Sequence, residues 1–142
     1  MRSHAERSQL IRRLPCSAMT SSTTPLGVTY GSLGILGPRA VIDIAQLAQA
    51  QGYSSFWTVE ATGSDAFSLL GAVSAVAPRL DLATGIVPIQ VRTPPLAAMT
   101  AATLQALGPD RDMWFGVGVS APGILRQHGV AAPDRPIAMM RE

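Results

Sequence analysis

Four short β-prone stretches recur along this chain at nearly constant intervals, and each of the first three is followed by a helix-length segment. With Val28, Ser55, Leu82 and Met113 as markers, the intervals are 55 − 28 = 27, 82 − 55 = 27 and 113 − 82 = 31 residues. A strand, a crossover helix and a return strand need about 30 residues, whereas a hairpin needs far fewer. The spacing therefore predicts βαβ units with right-handed crossovers and a parallel sheet. The fold class is α/β.

The strand segments are LGVTYGS (Leu26–Ser32), SSFWTVE (Ser54–Glu60), LDLATGIV (Leu80–Val87) and DMWFGVGVS (Asp112–Ser120). They are apolar on both sides, as in a sheet covered on both faces. Between the first two, Pro38 opens a predicted helix in which Val41, Ile44, Ala45 and Ala48 fall at i, i+3, i+4 and i+7, and Gly52 closes it. Ser64 or Asp65 caps the next helix, whose Ala66, Leu69, Leu70 and Val73 share a face before Pro78 stops it. Thr93 and Pro94 start the third, which Gly108 ends. A fourth begins at Asp134 with Pro136 in its first turn, and only two turns of it precede Glu142.

Charge argues against a nucleic-acid partner. Residues 1–22 carry four arginines against Glu6, a net +3, while residues 23–142 carry seven arginines against eight acids, a net −1. The globular part has no basic stripe of the kind a phosphate backbone requires. The basicity belongs to a leader, residues 1–24, read as disordered or as an over-extended start with Met19 as an alternative initiator. Cys16, the sole cysteine, lies there too, so an intrachain disulfide is impossible and a reducing, cytoplasmic setting is expected. Every apolar run is interrupted well short of the ~18 residues of a membrane span.

In a parallel α/β sheet, ligands lie beyond the carboxyl ends of the strands. Those ends bring together Gly31–Ser32, Glu60, Gly85–Ile86 and Gly118–Ser120. Glycines let backbone approach a flat ligand, and Ser120 can bond its edge. Each glycine is equally compatible with a plain tight turn. Glu60 follows the apolar Phe56–Val59 and is the candidate general acid or base; pairing with a nearby arginine at the sheet's rim is the alternative. GVGVSA (Gly116–Ala121) matches a relaxed dinucleotide fingerprint, but it lies in the fourth unit and Pro122–Gly123 follows it in place of an expected helix start. His128 is the only histidine outside the leader, and with no cysteine in the globular part a metal site has too few ligands. No G-x-S-x-G or phosphate loop is present.

The pieces GYSSFWTVE, LATGIVPIQVRTPP, LAAMTAATL, FGVGVSAP and RPIAMMRE stand in an order and spacing that resembles the bacterial luciferase-like monooxygenase family. Within it the chain looks most like oxidoreductases that use the deazaflavin coenzyme F-420. The likeness runs from Leu26 to Glu142 and implies the N-terminal half of a (β/α)8 barrel of about four βα units. It further implies that the strand over Asp81–Val87 ends in a bulge, often with a non-prolyl cis peptide, behind the coenzyme ring. That places Thr84, Gly85 and Ile86, with Gly118 and Ser120, at the cofactor, which is F-420 or alternatively FMN. Arg92 and Thr93–Pro94 then turn the chain into the next helix.

The implied activity is hydride transfer between the coenzyme ring and a small organic substrate, or oxygen activation in a flavin version. The alternative is a truncated, non-catalytic remnant or split-gene half. Unpaired edges and inward side chains (Tyr30, Trp57, Leu82 or Ile86, and Phe115) without opposing strands lead to the expectation of a homo-oligomer or a complementary C-terminal half.

Overall fold

The computed structural model describes residues 24–141, so residues 1–23, with Cys16 and Met19, and Glu142 lie outside the described residues. Strands β1 (Gly27–Thr29), β2 (Ser55–Thr58), β3 (Asp81–Pro88) and β4 (Met113–Gly118) form one sheet in the order β1-β2-β3-β4, every pair parallel. Helices α1 (Ala40–Ala50), α2 (Ala66–Val76) and α3 (Pro94–Ala106) fill the crossovers, and two short helices, α4 (Pro122–Gln127) and α5 (Pro136–Met139), follow β4. The α/β expectation holds. Sequential strand order has no reversal, and α1 packs on α2 and α2 on α3. The helices thus line one face in sequence, as staves of a barrel do and a doubly wound sheet does not.

Strand alternation sorts the side chains. The register row Val28–Phe56–Leu82–Met113 faces the helices, and Phe56 and Leu82 are fully buried there with Val41, Ala45, Leu70 and Val73. Tyr30 and Phe115 belong to the same layer: Tyr30 stacks on Phe56 at 6.2 Å, and the Phe115 ring lies tilted against Phe67 of α2 at 5.5 Å. This corrects the expectation that Tyr30, Leu82 and Phe115 point into the barrel. Their strands are covered on the outer face by α1 and α2, and those large side chains are what the helices bury. The row Thr29–Trp57–Ala83–Trp114 faces the other way. There Ala83, in register between Trp57 and Trp114, is fully buried, while Trp114 remains 57% exposed.

Local chemistry accounts for the boundaries. Asp65, not Ser64, caps α2, accepting the Ser68 amide at 2.6 Å. Gly52 takes φ +81° just past α1, the left-handed conformation a helix C-terminus favours. The first helix begins at Ala40, not Pro38, because Gly31–Leu36 winds a 3-10 turn whose exit at Gly37 needs φ +78°. Asp134 does not cap α5; its N-cap is Arg135, which makes no capping bond. α4 opens at Pro122 immediately after Gly116–Ala121, so that segment does lead into a helix, contrary to expectation, because proline suits a first turn.

Candidate functional site

The carboxyl ends of β2, β3 and β4 meet in one rim. β3 carries an irregularity there: Thr84 pairs with Phe115 and Val87 with Val117, so two residues of β3, Gly85 and Ile86, stand against the single Gly116 of β4. This is the bulge expected over Thr84–Ile86, and the Gly85–Ile86 peptide is cis. Around it, the amide of Glu60 donates to the Ile86 carbonyl at 3.1 Å. The Gln90 side-chain amide donates to the Val119 carbonyl at 3.2 Å. The end of β3 is therefore stitched to β2 on one side and to the exit of β4 on the other.

The predicted residues take distinct places in this rim. Thr84 is fully buried, and its hydroxyl donates to the Gly116 carbonyl at 3.0 Å, so its side chain ties β3 to β4. Gly85, by contrast, is exposed between the buried Leu82–Thr84 and Val87–Pro88. A Cβ on Gly85 would stand 3.1 Å from the Trp57 ring, so the glycine lies bare beside an indole on the inner face. Ile86 is half-buried and rests against Gly118, where a Cβ would come within 3.3 Å of its Cδ1. Ser120 takes φ +56°, the one non-glycine residue in the left-handed region among the described residues. Glu60, Gly85, Ile86, Gly118 and Ser120 thus lie at the same end of the sheet.

Glu60 sits in the arrangement its alternative reading described. Its Oε2 accepts the Ala66 amide at 3.3 Å and lies 3.5 Å from Arg92 Nη2, with the carboxylate side chain only 10% exposed. Arg92 also pairs with Asp65 and lies over the Phe67 ring, 4.5 Å from its centroid. Partial burial pushes the Asp65 carboxyl up, but the Ser68 hydroxyl and amide and the Arg92 guanidinium outweigh it, leaving the group below the usual carboxylate range. Arg92 is the residue whose place the sequence reading understated. Its spacing from Glu60, 92 − 60 = 32 residues, is about one βα unit, the signal that could have paired them.

Two hollows flank the rim. One of about 210 Å³ lies between the loops after β1 and β2, lined by Tyr30, Gly31, Gly34, Val59, Gly63 and Ser64. The other, about 290 Å³ and apolar, runs between α3 and β4, with Val87, Pro94, Ala97, Phe115 and Val117 in its walls. His128 bonds the Ala61 carbonyl and so ties α4's end to the loop after β2. Among the described residues no group of His, Cys, Asp and Glu could hold a metal, and no helix is long and apolar enough to cross a membrane.

Comparison with known proteins places this geometry. Residues 16–142 match the luciferase-like monooxygenase family, and the chain belongs to it. A Mycobacterium tuberculosis protein named as a putative coenzyme F-420-dependent oxidoreductase is 33% identical over 118 residues, which is 82% of this chain and 33% of that protein. Among solved structures, the monooxygenase RslO1 from Streptomyces bottropensis superposes with a TM-score of 0.69 at 22% identity, over 81% of this chain and 39% of that one. The coenzyme F-420-dependent tetrahydromethanopterin reductase from Methanopyrus kandleri gives 0.62 at 17% identity, over 74% of this chain and 29% of that one. These likenesses establish the fold as part of a (β/α)8 barrel, and the chain spans about a third of the length of the relatives it matches.

Proposed function

We propose that this chain is the N-terminal part of a flavin- or deazaflavin-dependent oxidoreductase, with the end of β3 as the support for the coenzyme ring. The observation that carries the reading is the bare backbone of Gly85, exposed at the strand end beside Trp57, in a chain of this family. A flat heterocycle needs such a ledge: no side chain to hold it off, an aromatic neighbour, and backbone N–H and C=O groups at its edge. Gly85 and Ile86 would support the ring, with Gly118 and Ser120 at its margin. The named activity of the mycobacterial relative favours F-420 over FMN.

The coenzyme, when bound, would supply the hydride chemistry, while the protein's part is to hold and orient the ring. The guanidinium of Arg92 is engaged by Glu60 and Asp65, which leaves it ill suited to hold a phosphate tail. Glu60, held by Ala66 and Arg92, fits a role in fixing the ledge better than proton transfer. The intact chain should quench or shift the absorbance and fluorescence of F-420, or of FMN, on titration. Binding of neither would remove the enzyme reading for this polypeptide.

Exposed apolar side chains on and beside the edge strand β4 favour a second reading, in which the chain works only with a partner. Trp114 and Val117 on the outermost strand and Leu96 and Met99 on α3 are exposed, and the apolar hollow adjoins them through Val117. We propose that a second copy, or a complementary half-barrel, covers this surface.

A further inference from the structure

We infer that Arg92 is a positioning residue, which sets the ledge Gly85–Pro88 at its working distance from β2 and α2. The inference deepens the proposed function and rests on it only for coenzyme binding. Arg92 follows the bulge by a single 3-10 turn, Ile89–Val91. Its guanidinium reaches back across the rim to Glu60 at the end of β2 and to Asp65, the cap of α2. Phe67, in the first turn of α2, lies beneath it. The end of β2 and the start of α2 are thereby fixed to one planar group on the chain leaving β3.

The same elements hold the ledge. Glu60 donates its amide to the Ile86 carbonyl and binds Arg92 through its side chain, so one residue links the ledge to the clamp. The side chain of Arg92 is only 17% exposed, and water competes poorly for its contacts. Lysine replaces it poorly: both carboxylates meet the one nitrogen Nη2, which an ammonium can imitate, but an ammonium has no planar face to lie over Phe67.

Amide hydrogen exchange and coenzyme titration on the full chain test this together, using Arg92→Met, Arg92→Lys, Glu60→Gln and Asp65→Asn. In Arg92→Met, exchange over residues 85–91 should quicken about tenfold or more while protection of α1 is unchanged. Affinity for whichever coenzyme the unaltered chain binds should drop about tenfold. Arg92→Lys should restore neither in full. Equal loosening of α1 and the ledge, or full rescue by lysine, would overturn the inference. Should Arg92→Met not fold, Glu60→Gln and Asp65→Asn must each quicken exchange in the ledge, and unchanged exchange in both would overturn it. If the unaltered chain binds neither F-420 nor FMN, the proposed function fails, yet the exchange arm still decides the role of Arg92.

Discussion

Replacing Gly116 with alanine probes the join between β3 and β4 where it is tightest. A Cβ at Gly116 would lie 2.1 Å from the Thr84 carbonyl oxygen and 3.2 Å from its carbon, both backbone atoms that no rotamer change can move. The strands must therefore separate at the bulge, weakening the Thr84 hydroxyl bond to the Gly116 carbonyl, which is 3.0 Å long. Overpacking of this kind costs about 1–3 kcal/mol and a lost buried hydrogen bond about 1 kcal/mol more. A loss of about 2–4 kcal/mol is expected, a large part of a domain's ~5–15 kcal/mol. Gly71 is the internal contrast. It lies mid-helix in α2, and a methyl group added there would meet nothing within 4 Å, so Gly71→Ala should stabilise by about 0.5–1 kcal/mol. Urea unfolding followed by far-UV circular dichroism, at one fixed protein concentration, reads both variants. A Gly116→Ala midpoint equal to that of the unaltered chain would refute the close approach of the strands.

Three further expectations follow from single contacts. The carboxyl of Asp65 titrates below its ordinary 3.8, so the stability it contributes is full above that value and is lost as pH falls through the lower folded value. Asp65→Asn should flatten that acid limb, read as the shift of the urea midpoint between about pH 5 and about pH 3, and an unchanged limb would show that the carboxylate has no partner. Tyr30 is 3% exposed and donates its hydroxyl to the Gly37 carbonyl at 2.6 Å, so Tyr30→Phe should cost about 1 kcal/mol in the same assay, and no cost would place the hydroxyl in water. Light scattering should find the purified chain larger than 14.9 kDa, because Trp114, Leu96 and Met99 seek cover, and a monodisperse monomer would contradict the partner reading.

What the sequence made legible was periodic. Strand and helix repeats carry the parallel sheet, because a covered strand and an amphipathic helix each declare their period in the order of residues. The site was legible where backbone demands a residue type: glycines at Gly85 and Gly118 and the turn at Ser120 mark strand ends that only small side chains permit. Orientation was less so. SSFWTVE and DMWFGVGVS contain large residues on both faces, and LGVTYGS puts Leu26, Val28 and Tyr30 on one face without saying which layer that face meets, so alternation alone did not say that Tyr30 and Phe115 turn toward the helices while Trp57 and Trp114 turn inward. The short α4 was missed because Pro122–Gly123 reads as a turn, and six residues carry too little periodicity to outweigh it. The Arg92 clamp was hidden for another reason. Its partners Glu60 and Asp65 lie 92 − 60 = 32 and 92 − 65 = 27 residues away, so only the βα repeat length, and nothing in the local pattern, hinted at the pairing.

The central claim is that the exposed end of β3 holds a flavin-type ring, and a coenzyme titration of the intact chain beside a Gly85→Leu variant tests it most directly. Leucine at this exposed position places a branched side chain where the ring would rest, against Trp57. The unaltered chain should bind F-420, or FMN, with a saturable change in coenzyme fluorescence, and Gly85→Leu should weaken that binding by tenfold or more, about 1.4 kcal/mol. Equal binding by both chains would contradict the placement of the ring on this ledge.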